Sequence, residues 1–89
     1  MSTTPERPEP IQSLVRGLSV ITAFGEGRAR LTLSEVARQV GLSRATARRV
    51  LHTLVDLGYA ATDGQDFWLT PRILSLGYSY LSSQGLPQL

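Results

Sequence analysis

The 89-residue chain contains no cysteine and no lysine, has a single histidine, His52, and carries no long uninterrupted apolar run. Without cysteine there is no disulfide framework, no thiolate zinc site and no cysteine nucleophile, and the composition suits a reducing, cytoplasmic setting. One histidine leaves too few ligands for the common metal sites, so neither metal nor cofactor is expected. The longest uncharged stretch, residues 73–89, is interrupted by Ser75, Ser79, Ser82, Ser83, Gln84, Pro87 and Gln88, so no membrane association is expected. The first ten residues lack the basic start and apolar segment of a secretory signal. With no convergent carboxylate pair either, the parts of an active site are missing and an enzyme is not expected.

What is present is one small folding unit. A chain of this length buries about 64% of its extended surface on folding, enough for a single modest core. All nine basic residues are arginine, and the net charge is +2. Arginine favours planar, bidentate contact with phosphates, carboxylates or guanine edges over diffuse positive charge. The charge is uneven: +1 over residues 1–31, +2 over 32–58 and −1 over 59–89. Between Val36 and Val55 lie Arg38, Arg44, Arg48 and Arg49 and no acid, an arrangement that attracts a polyanion or, more plainly, makes a solvated helix face.

Pro5, Pro8 and Pro10 make residues 1–10 an extended, flexible arm. From Ile11 to Phe24 the spacing predicts a helix with two apolar stripes: Ile11, Leu14, Leu18 and Ile21 with Val15 beside them, and Val20 with Phe24 next to Gly17. Two such faces in so small a domain imply packing on its own core and on something else, a partner subunit being the economical candidate. Gly25-Glu26-Gly27 ends the helix. Thr32-Leu33-Ser34-Glu35 has the form of a capping box and starts a short second helix. Gly41-Leu42-Ser43 is a tight turn whose serine caps a third helix, Arg44 to Leu57, about 21 Å long, closed by Gly58. The two make a helix-turn-helix. Tyr59–Thr62 and Gln65–Thr70 read as strands around Asp63-Gly64, a hairpin or wing. Thr70-Pro71 opens a last amphipathic helix, from Arg72 to about Ser82. The fold class is mainly α with a small β-hairpin, a winged helix-turn-helix.

On the third helix a core stripe of Ala47, Val50, Leu51 and Leu54 places Ala45, Arg49, His52 and Asp56 opposite, with Arg48 and Thr53 flanking. Arg48 and Arg49 could grip guanine O6 and N7, Ala45 or Thr46 touch a thymine methyl, and Arg44 reach a base or a phosphate. Thr32 and Ser43 cap helices whose free amides can bind phosphate. His52 is solvent-facing or phosphate-adjacent. The wing tip, with Gly64 and Gln65, can reach the minor groove or backbone, although Asp63 repels phosphate. Tyr59 and Phe67 are expected in the core. Trp68 alternates to the other strand face, either exposed or covered by a neighbouring helix or subunit. A protein-interaction module, its arginine face docked on an acidic partner, is the competing reading.

The segment GLSRATARRVLHTLVDLGYAATDGQDFWLTPRILSLGYSYLSS, residues 41–83, together with VRGLSVITAF, residues 15–24, resembles the N-terminal domain of IclR-type (isocitrate lyase regulator) transcription factors. Within that family, residues 43–49 and 76–81 are similar to bacterial regulators of aromatic-acid catabolism, the protocatechuate, 4-hydroxybenzoate and β-ketoadipate group. The resemblance implies double-stranded DNA as partner, the helix from Arg44 in the major groove, and a homodimer on a roughly palindromic operator. It further implies a DNA-binding domain over residues 11–71, a linker helix over 72–83, and a tail, 84–89, leading to a domain that binds a small-molecule effector.

Overall fold

The computed structural model describes residues 7–85, so most of the expected arm and of the expected tail lies outside the described residues. The order is α1 (Gln12–Ala23), β1 (Leu31–Thr32), α2 (Leu33–Val40), α3 (Arg44–Leu57), β2 (Ala60–Thr62), β3 (Asp66–Leu69), a 3-10 turn (Pro71–Ile73) and α4 (Leu74–Ser83).

The polar signals at the helix ends form as the sequence implies. The Thr32 hydroxyl accepts from the Glu35 amide at 3.2 Å, and the Glu35 carboxylate accepts from the Thr32 amide at 2.8 Å, so two otherwise orphaned donors are satisfied reciprocally. Gly41, with φ of 73°, ends α2 in the left-handed conformation that only glycine adopts without strain. Two residues later the Ser43 hydroxyl accepts from the Thr46 amide at 3.1 Å and starts α3. The turn between α2 and α3 is therefore fixed at both ends by local chemistry.

The hairpin forms with Ala60 opposite Leu69 and Thr62 opposite Phe67. It is joined by β1, a strand that the alternation pattern does not announce, with Leu31 opposite Phe67 and Thr32 opposite Asp66. The wing is thus a three-stranded antiparallel sheet in the order β1-β3-β2. Two residues are too few to show a period, and Thr32 is read first as a helix cap, which it also is.

Under the wing and between the helices lies the core: Val20, Ala23 and Phe24 of the α1 end, Leu31, Val36, Ala37, Ala47, Leu51, Leu54, Ala60 and Phe67. Tyr59 is only half-buried, its ring facing the Arg72 guanidinium at 5.2 Å. Of the two α1 stripes, the smaller one is buried, while the larger packs on the core only at Ile21: Ile11 is 66% exposed, Leu14 59% and Leu18 56%. At the C-terminal end of α1 the Ala23 carbonyl accepts from Arg28 at 3.1 Å and Gln39 at 3.2 Å. The last helix starts later than the sequence suggests, because Pro71–Ile73 winds as a 3-10 turn capped by Thr70. No residue of α4 is buried, and Leu74 is 72% exposed. No helix among the described residues is long and apolar enough to cross a membrane.

Candidate nucleic-acid interface

The capped turn delivers α3 with its apolar side, Ala47, Leu51 and Leu54, in the core and its arginines in solvent. Of the residues singled out by sequence, Thr32, Arg44, Arg48, His52, Gly64 and Gln65 converge on one concavity between α3, the start of α2 and the wing tip, with Leu33, Ser34 and Phe67 completing its walls. Arg44 donates from its Nη1 to the Ser34 hydroxyl, which fixes one guanidinium at the mouth of this concavity. His52 is exposed and meets the edge of the Phe67 ring at 5.7 Å between centroids, so its imidazole is packed on the wing.

The remaining four residues are distributed differently. Thr46 and Arg49 line a second groove, between α3 and α1. Ala45 is exposed on the crest between the two grooves, and Ser43 is exposed at the helix start with its hydroxyl engaged in the cap. Arg48 and Arg49, adjacent in sequence and 100° apart around the helix axis, therefore open to different grooves that flank α3.

The wing tip differs from a plain acidic tip. One carboxylate oxygen of Asp63 accepts from the amides of Gln65 at 2.9 Å and Asp66 at 2.8 Å, and the other meets the Arg30 guanidinium at 3.0 Å. The Asp66 amide, then the Gln65 amide, with Arg30 adding a smaller share, hold the Asp63 carboxyl below its ordinary value of 3.8. Its charge is thus engaged by the turn's own amides and partly neutralised by Arg30. Arg30 also reaches Asp66 at 3.5 Å and covers the Trp68 ring, which is half-buried. Sequence reasoning passes over Arg30 because its position is informative only once β1 is known. Ser34 is missed for a related reason: it reads as the interior of a capping box. Among the described residues no group of histidine, cysteine or acidic side chains is placed to hold a metal ion.

A family model of the IclR helix-turn-helix domain matches residues 13–64. The chain belongs to the IclR family of DNA-binding transcription regulators. The Pca regulon regulatory protein of Pseudomonas putida is 47% identical over 79 residues, which make up 89% of this chain and 27% of that protein. The p-hydroxybenzoate hydroxylase transcriptional activator of Acinetobacter baylyi is 50% identical over 78 residues, 88% of this chain and 29% of that protein. Among solved structures, an IclR family transcriptional regulator from Brucella abortus superposes with a TM-score of 0.77 at 38% identity, over 83% of this chain and 29% of that one. A transcriptional regulator from Rhodococcus sp. RHA1 gives 0.78 at 66% identity, over 83% of this chain and 30% of that one. The IclR-type chain thus spans less than a third of these relatives. The names of the two curated relatives agree with the narrower resemblance to aromatic-acid regulators.

Proposed function

We propose that this chain reads a specific duplex operator as a homodimer, with α3 in the major groove, and that it serves a bacterial regulator of aromatic-compound catabolism. The observation that carries the reading is the state of the arginines on α3: Arg48 and Arg49 are exposed, and no carboxylate of the described residues pairs with either. Unpaired guanidiniums on a rigid helix gain affinity by releasing the counterions of a polyanion.

In this reading Arg44, already pinned by Ser34, and the amides capped by Thr32 and Ser43 take phosphates. Ala45, Thr46 and Arg48 face base edges, His52 lies beside the backbone, and Gly64 with Gln65 brings the wing to the adjacent strand. Residues 11–71 act as the binding domain. The helix over 72–83 leads toward a part of the longer protein that binds a small-molecule effector. The exposed stripe of α1 and the exposed α4 supply apolar surface for a second copy, and a two-fold dimer matches a palindromic operator. Chromosomal DNA as partner puts the site of action in the cytoplasm, and the function is binding without catalysis.

The test is selection of bound sites from a random duplex pool, followed by affinity measurements on the selected duplex and on random DNA. Arg48→Ala is expected to abolish most of the preference for the selected duplex. Absence of any shift with duplex DNA at low salt would favour the protein-interaction module instead.

A further inference from the structure

We propose that Arg16 of α1 and Arg49 of α3 form a second phosphate site, which grips the DNA strand on the side of α3 away from the wing. The inference rests on the operator-binding reading above and extends it to a helix that a helix-turn-helix motif does not include.

The groove between α1 and α3 has a volume of about 190 Å³. It is lined by Arg16 and Arg49, by the hydroxyl-bearing Ser13 and Thr46, and by the apolar Val50 and Leu54. Neither arginine has an ion-pair partner among the described residues, where the carboxylate pairs belong to Arg30. The next acid on α3 after Arg49 is Asp56, two helical turns or about 10 Å further along. Two unpaired guanidiniums facing one opening repel each other until an anion enters, and their planar donors fit phosphate oxygens in a bidentate manner.

The geometry of a duplex supplies the anion. A helix about 10–12 Å across fills a major groove about 12 Å wide, so both of its flanks face a sugar-phosphate strand. On one flank of α3 lie Arg44, Arg48 and the wing, and on the other lie Arg49 and Arg16. The apolar lining suits a deoxyribose edge between two phosphates. The occupant is therefore the phosphodiester backbone of the same duplex.

The experiment uses the wild-type chain, Arg16→Ala, Arg16→Gln, Arg49→Ala and, as a control on the wing side, Arg48→Ala. Affinity is measured against selected and random duplex at several salt concentrations, with melting temperature and oligomeric state followed in parallel. The expected result for both Arg16 variants and for Arg49→Ala is a loss of roughly three- to tenfold, equal on the two duplexes, with the salt slope reduced by about one. Arg16→Gln keeps the aliphatic stem, so agreement between the two Arg16 variants excludes a packing effect. Unchanged affinity and slope in the Arg16 variants, while Arg48→Ala weakens binding, would overturn the inference and leave the operator reading intact. A loss that accompanies a change of oligomeric state or melting temperature in both Arg16 variants would also overturn it. Failure of the wild-type chain to bind any duplex would remove the operator reading itself.

Discussion

The guanidinium carbon of Arg30 sits 3.9 Å from the centre of the Trp68 ring, on the outer face of the wing. The pairing of Leu31 with Phe67 explains it: the residue just before β1 and the one a step forward on β3 fall opposite each other, facing away from the core. The contact joins an arginine outside the helix-turn-helix to the strand that carries the wing, and Asp63 and Asp66 complete the cluster.

Arg30→Ala is expected to leave the fold intact and to expose the Trp68 indole. The single tryptophan makes this readable by fluorescence, as a red shift of the emission and easier quenching by iodide. The loss of stability should be small, about 0.5–1 kcal/mol, since an exposed cation–π contact is worth no more. An unchanged spectrum would contradict the contact.

Acidification provides a check on the wing tip. Because the folded-state pKa of Asp63 is lowered, its ionised form stabilises the fold at neutral pH, and the contribution is lost as pH falls below the ordinary value of 3.8 and through the lowered one. Asp63→Asn keeps an oxygen for the turn but no charge. The two proteins should therefore differ in melting temperature at neutral pH and converge under strongly acidic conditions. A difference that widens on acidification would reverse the sign and refute the assignment.

Removing the reciprocal cap should be costlier than its surface position suggests. Thr32→Ala leaves the Glu35 amide at the start of α2 without its partner and is expected to cost about 1 kcal/mol. For a domain of this size that is a fall in melting temperature of roughly 4–8 °C, while Thr32→Ser should recover most of it.

The two faces of the apolar set should respond oppositely. Leu51 is fully buried, so Leu51→Ala is expected to destabilise the domain by about 2–5 kcal/mol. Leu14 and Leu18 are exposed, so Leu14→Gln with Leu18→Gln should change monomer stability by only about 0.5 kcal/mol each. If these leucines form the dimer contact, sedimentation of the double variant will show a monomer at concentrations where the wild type is dimeric.

Much of the fold can be read from the sequence because its punctuation is local. The capping box at Thr32, Gly41, Ser43 and the Asp63-Gly64 turn each act within four residues, and each forms where it is expected. What escapes is set by distance in the chain. The pairing of β1 with β3 joins residues more than thirty positions apart and leaves no period in a two-residue strand. Periodicity finds both apolar stripes of α1 and cannot rank them, because the rank depends on how far α2 and α3 extend. Helical angles separate Arg48 from Arg49, but only the placement of α1 and the wing gives each arginine its own groove.

Thr32 is at once the last residue of β1, held by the wing, and the cap from which α2 departs. No spacer separates the two elements, so the hairpin has no slack of its own with respect to the helices. If α3 and the wing grip a duplex as proposed, they do so as a caliper with a fixed jaw opening: a duplex whose groove is wider or narrower would have to deform to be held, and discrimination by shape would come with the backbone itself.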